Sequence, residues 1–191
     1  MRSGKVLLTR YEINWLAGLL EAEGCFMAGT PSQPRTPRMY IGMTDYDIIE
    51  RVAAMLHSSI KHFRIDAEGL KPQYSIQVGG GSFVSLTALL RPLMGQRRQD
   101  QIERALSCYA KAIAYPSRAF EVIDPDSEGC ERHWLAGYLE GEGHFGLQQF
   151  STRSGPYAYA HFEVCSTDRD VIEHVKSLLH DLYAIDLNIQ I

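Results

Sequence analysis

Trp15-Leu16-Ala17-Gly18-Leu19-Leu20-Glu21-Ala22-Glu23-Gly24-Cys25-Phe26 returns 119 residues later as Trp134-Leu135-Ala136-Gly137-Tyr138-Leu139-Glu140-Gly141-Glu142-Gly143-His144-Phe145, with nine of the twelve positions identical. A second echo follows: Thr44-Asp45-Tyr46-Asp47-Ile48-Ile49-Glu50-Arg51-Val52 matches Thr167-Asp168-Arg169-Asp170-Val171-Ile172-Glu173-His174-Val175 at an offset of 123. Two matches in the same order mean an internal duplication, that is, two copies of one structural unit. The four extra residues fall between motif and echo, where both copies read as a hairpin. Each motif ends in an acid followed by glycine, so joining the two units sets two similar carboxylates side by side.

Working outward, Thr9-Arg10-Tyr11-Glu12 has capping-box form and opens a helix to about Glu23, which Gly24 stops. Phe26 to Met43 reads as two strands around a loop holding Pro31, Pro34 and Pro37. Thr44 with Asp47 caps a second helix carrying Ile48, Val52, Met55 and Leu56. His62–Ile65 and Gln73–Val78 form a second strand pair turned through Ala67-Glu68-Gly69. Gly79-Gly80-Gly81 breaks the chain before a helix near Ser82; no Gly-Lys-Ser/Thr follows, so a phosphate loop has little support. A last helix, about Gln96 to Tyr115, spaces Ile102, Leu106, Tyr109 and Ile113 on one face.

The first unit, 1–119, is thus αββαββαα, followed by a linker over 120–129 around Asp124-Pro125-Asp126-Ser127. The second unit, 130–191, repeats the first helix, the hairpin (about His144–Val164) and the second helix (Thr167–Leu182), then one candidate strand at Asp186–Ile191. Aligned with the first unit, it is C-terminally incomplete, without a fourth strand or terminal helices.

With 191 residues and 45% apolar content, the chain can bury a real core. There is no apolar run of membrane length and no signal sequence, so an intracellular, cytoplasmic protein, bacterial or phage-encoded, is expected. Cys25, Cys108, Cys130 and Cys165 are scattered and read as reduced thiols. The seven histidines show no zinc-ligand spacing either. The net charge of −4 is unevenly spread: residues 1–68 balance to zero, 69–120 carry +5, and 121–191 carry −9. One basic segment inside an acidic whole steers binding more than the total does.

On a helix advancing about 100° per residue, Glu23 shares a stripe with Leu16, Leu19 and Leu20, and Glu142 with Leu135, Tyr138 and Leu139. A carboxylate in the last turn, at the end of an apolar seam, faces both the helix dipole and desolvation. A cation held between Glu23 and Glu142 relieves both. Gly18-x-x-x-Ala22 and Gly137-x-x-x-Gly141 let two helix backbones approach closely, bringing those acidic ends together. Glu21 and Glu140, on the other side of their helices, read as serving solubility or local hydrogen bonds.

Leu16–Gly24 and Leu135–Gly143 resemble the signature of the LAGLIDADG homing endonucleases, with glutamate at both aspartate positions. The resemblance implies an α+β fold of two pseudo-symmetric αββαββα repeats, central packed motif helices, and antiparallel sheets forming a saddle over double-stranded DNA. It implies divalent metal, Mg²⁺ or another such as Mn²⁺, on Glu23 and Glu142, and site-specific cleavage of both strands of a long target. Arg97 and Arg98 resemble the basic residue near the scissile phosphate, or are solvated charges at a helix start. Alternation along the strands gives Cys25, Met27, Arg38, Tyr40, Arg64, Tyr74 and Ile76 as candidate DNA contacts. Asp45 and Asp168 take a position near active-site waters in the family, or stabilise the first turns of their helices. Two other readings stay open: a binding relative without cleavage, such as a maturase on intron RNA or a regulator, and a fragment of a longer chain. Pseudo-symmetry implies a monomer, with pairing to another copy also open.

Overall fold

The computed structural model describes residues 4–28, 36–63, 71–107, 118–123, 129–153 and 155–188. The first motif forms α1 (Arg10–Glu23), whose start is the expected capping box. Thr9 Oγ1 accepts from the Glu12 N–H at 3.1 Å, and the Glu12 carboxylate accepts from the Thr9 N–H at 2.7 Å. Gly24 ends the helix in extended conformation, φ −73°, its N–H donating to the Leu20 carbonyl. Glycine is needed there for closeness rather than for a left-handed turn, since a Cβ would sit 2.4 Å from Leu20 O.

The first unit continues as β2 (Cys25–Met27), β3 (Arg38–Met43), α2 (Tyr46–Leu56), β4 (Lys61–Phe63), β5 (Gln73–Gly79), α3 (Gly81–Leu90), a 3-10 turn (Arg91–Leu93) and α4 (Gln96–Ser107). Its four strands make one antiparallel sheet in the order β2-β3-β5-β4. Period-2 alternation sends Phe26, Met39, Ile41, Met43, Ile76 and Val78 inward, against Phe83 and Leu86 of α3 and Ile49, Val52 and Leu56 of α2. Gly80, at φ 64°, makes the sharp reversal from β5 into α3.

Three expectations need correction. Asp45, not Thr44, is the N-cap of α2, and its side chain makes no capping bond. Part of the expected 120–129 linker is strand: β6 (Arg118–Val122) pairs in parallel with β1 (Gly4–Leu8), putting Val6, Leu8 and Phe120 into the core. Residues 186–188 of the expected final strand, Asp186–Ile191, are not strand, and 189–191 lie outside the described residues. The Ala67-Glu68-Gly69 turn and the helix beyond Ser107 also lie outside them.

The second unit comprises α5 (Cys130–Glu142), the hairpin of β7 (Gly143–Thr152) and β8 (Gly155–Val164), and α6 (Arg169–Tyr183). With its antiparallel sheets and helices the molecule is α+β, as expected. α6 repeats the packing of α2: Val175 and Leu179 are buried, as are their counterparts Val52 and Leu56.

The two hairpins differ sharply in burial. Phe26 is 5% exposed and its ring meets Phe83 edge-on at 6.4 Å. Its repeat partner, Phe145, is 70% exposed, and Leu147 beside it 65%. One sequence position therefore carries opposite energetic weight in the two copies. Phe26→Ala should cost about 3 kcal/mol, and Phe145→Ala under about 0.5 kcal/mol, in urea unfolding of the two variants. Equal losses would show that the second hairpin is also covered.

Candidate active site and nucleic-acid interface

The site is built by the crossing of α1 and α5. A Cβ on Gly18 would lie 1.9 Å from Trp134 O and 2.8 Å from Tyr138 N; one on Gly137 would lie 2.0 Å from Trp15 O and 2.9 Å from Leu19 N. Each glycine thus faces the tryptophan carbonyl of the other motif, the reciprocity of a two-fold interface. Leu16, Leu19, Leu20, Trp134, Leu135 and Tyr138 fill the seam, all buried. One turn further on, a Cβ on Gly141 would meet Ala22 Cβ at 2.5 Å and Glu23 Cγ at 3.0 Å. The small residues therefore bring the Glu23 side chain directly against the last turn of α5.

Glu23 is exposed and Glu142 half-buried, at matching ends of the two helices. Partial desolvation raises the Glu23 carboxyl above its ordinary value, and the like charge of Glu142 raises it further. Glu142 is raised by desolvation, against the pull of Arg98 and Arg97. Two acids held together so that both resist ionisation are a pair that could hold a shared cation. Among the described residues no three His, Cys, Asp or Glu side chains group as a metal cage. One exposed and one half-buried carboxylate could instead serve as the kind of donor set that Mg²⁺ takes, together with waters and substrate phosphates.

The turn from α3 to α4 packs against the end of α1 that bears Glu23. Glu21 is not a surface residue: it is 3% exposed, and its carboxylate accepts from Gly95 N at 2.8 Å. Burial raises its carboxyl despite that bond and the nearby Arg98. Arg98, 6% exposed, points inward rather than toward a phosphate. Its guanidinium donates to Glu21 O at 2.9 Å and Ala22 O at 3.2 Å, and its Nε lies 3.9 Å from Glu21 Oε1. It thus satisfies the last carbonyls of α1 and opposes the negative helix end on which Glu23 sits. The sequence contained this signal, because Arg98 lies four residues before Ile102 and seven before Ala105, on the apolar stripe of α4. Arg97 lies off that stripe, exposed, and pairs with Asp168. Glu140 is at the surface, 3.9 Å from Arg51, whose guanidinium caps the Trp15 ring at 3.8 Å.

Beside the carboxylates, the outer face of the four-stranded sheet presents Cys25, Met27, Arg38 and Tyr40, paired in register as Cys25–Tyr40 and Met27–Arg38. Tyr74 and Ile76 are on the opposite, core face: Ile76 is fully buried, and Tyr74 packs on His62 and Tyr46. Their polar neighbours Gln73, Ser75 and Gln77 share the face of Tyr40, as does Lys61, whose Nζ donates to Gln77 Oε1 at 3.2 Å. Polar–apolar alternation along Gln73–Gly79 was the missed signal. Arg64 lies outside the described residues. In the second hairpin the matching face carries His144, Gln148, Phe150, Tyr157, Tyr159 and His161. Cys25, Cys130 and Cys165 are free thiols. Among the described residues no helix is long and apolar enough to cross a membrane.

No family model matches the chain, and no curated protein does. Solved structures do. The LAGLIDADG homing endonuclease I-LtrWI bound to target DNA is similar at TM-score 0.54 and 16% identity, over 89% of this chain and 72% of that one. The LAGLIDADG meganuclease I-AabMI bound to uncleaved DNA gives 0.55 at 18% identity, over 91% and 73%. I-SmaMI bound to an uncleaved DNA target in the presence of calcium ions gives 0.51 at 16% identity, over 90% and 73%. The chain has the fold of the LAGLIDADG homing endonucleases.

Proposed function

We propose that this chain is a site-specific DNA endonuclease that hydrolyses both strands of a long duplex target with a divalent metal, Mg²⁺ or Mn²⁺. The observation that carries the reading is the convergence of Glu23 and Glu142 at the joined ends of α1 and α5, next to a polar sheet face. Three of the similar structures are DNA complexes, which supports duplex DNA as the partner.

Glu23 and Glu142 would hold the metal, whose contribution when bound is to activate water and offset charge at the leaving oxygen. Arg98 keeps the last turn of α1 in place, so that Glu23 keeps its position. Arg97, exposed and close enough to act on the Glu142 carboxylate, would contact the DNA backbone. On the sheet, Arg38 and Lys61 would hold phosphates or guanine edges, with Tyr40, Gln77, Cys25 and Met27 reading base edges between them. Among the described residues, only the four-stranded sheet offers Arg and Lys side chains on its outer face in this pattern, so target reading should weigh toward the half-site that it covers.

A binding-only relative is the second reading. It is favoured by the second unit's sheet, which has two strands among the described residues against four in the first. Incubation of the chain with a randomised duplex library and Mg²⁺ separates the two. Recovery of cut sequences sharing a common site supports the nuclease. Capture of a common site without any cut supports the binder.

A further inference from the structure

Arg97 and Asp168 meet across the junction of the two units, Arg97 Nε donating to Asp168 Oδ2 at 2.5 Å. Their exposures are unequal: 42% for the arginine side chain and 12% for the aspartate. The turn bearing Arg97 does not depend on this pair. It is fixed independently by Gly95 N on Glu21 (2.8 Å), Gln96 N on Asp170 (3.0 Å), Arg98 on the end of α1, and Trp134 Nε1 on Leu93 O (2.9 Å). Nor does Asp168 cap its own helix, for it makes no side-chain bond to the first turn of α6.

The duplication provides an internal control. Asp45 occupies the same place in the first unit, is exposed, and has no ion pair among the described residues. The two equivalent aspartates differ in possession of an arginine and, with it, in exposure: Asp168 is largely covered and Asp45 is open. An ion pair with one solvent-open partner is weak and exchangeable. A guanidinium accepts carboxylate or phosphate in the same forked geometry.

We propose that Asp168 is an internal stand-in for a DNA phosphate: it holds Arg97 beside the motif carboxylates in the free protein and yields it to the backbone of bound DNA. Asp168 is thus a positioning residue that also lowers affinity by competing for that arginine. This rests on the DNA-binding reading above.

The test is binding of a mixed-sequence duplex of about 40 bp, followed by fluorescence anisotropy in EDTA across a salt series. Asp168→Asn should bind about three- to fivefold tighter than the parent at low salt, and Asp45→Asn about twofold at most. Arg97→Gln should lower the slope of log affinity against log salt by about one. In the Arg97→Gln background, the gain from Asp168→Asn should shrink to that of Asp45→Asn. Asp168→Ser offers the same contrast should the asparagine variant not fold. A gain no larger than that of Asp45→Asn, or one that survives loss of Arg97, overturns the inference while leaving DNA binding intact. A parent chain that does not bind the duplex at low salt overturns both.

Discussion

Gly18→Ala and Gly137→Ala should each prevent the chain from folding stably, with a loss of about 4 kcal/mol or more. The added methyl would have to occupy space 1.9 Å from Trp134 O, or 2.0 Å from Trp15 O. Those are backbone atoms in the middle of helices, so no rotamer change relieves the clash. The helices must separate, and separation opens the seam lined by Leu16, Leu19, Leu20, Trp134 and Leu135, which forms much of the central core. Gly141→Ala provides the graded comparison. Its methyl meets Ala22 Cβ at 2.5 Å and Glu23 Cγ at 3.0 Å rather than carbonyl oxygens at 1.9 and 2.0 Å, so the helix ends must part by less: a smaller loss is expected, with Glu23 displaced and cleavage reduced. Thermal melts by circular dichroism rank the three variants. A Gly18→Ala protein melting like the parent would contradict the helix crossing.

Glu23→Gln and Glu142→Gln should each lower the Mg²⁺-dependent cutting rate by at least about 10²- to 10³-fold while leaving duplex binding intact. The same substitutions should make the metal-free fold more stable at neutral pH. The sign follows from linkage. Both carboxyls lie above the ordinary value of 4.5 in the folded state, so between that value and their raised ones the folded chain binds more protons than the unfolded chain. Stability is then greatest below this window and falls as pH rises through it. Each glutamine removes part of that fall, and Mg²⁺ should offset it at neutral pH more than at acid pH. Urea unfolding across pH, with and without Mg²⁺, measures all three effects. A parent whose metal-free stability rises from pH 5 toward 7 while the glutamine variants stay flat would contradict the assignment of strain to this pair.

Much of this was legible in the sequence, and the limits have physical causes. The motif spacing gave the helix crossing and both acidic ends, because small residues four apart and an i, i+3, i+4, i+7 stripe are local helix properties. The antiparallel strand pairs were legible from alternation. The β1–β6 pair was not, because two five-residue strands join Gly4 to Arg118 across almost the whole first unit, and nothing local fixes such a partner or its register. The facing of β5 was readable, since Tyr74, Ile76 and Val78 alternate with Ser75 and Gln77, and a one-residue error of parity assigned the core-facing pair to the outer face. The division of labour between Arg97 and Arg98 followed from one helical step of about 100°, which separates a buried cap from an open cation. The contact of Arg97 with Asp168 had no sequence signal at all, because it joins residues brought together only when the two units dock.

The central claim, that the two motif glutamates form one metal site, is tested most directly by Mn²⁺ binding to the metal-free chain at neutral pH, read by electron paramagnetic resonance of the free ion. Glu23→Gln and Glu142→Gln should each weaken binding at least about tenfold. Glu140→Gln, at the surface beside Arg51, should leave it unchanged. Equal Mn²⁺ affinity in the parent and both motif variants would contradict the claim.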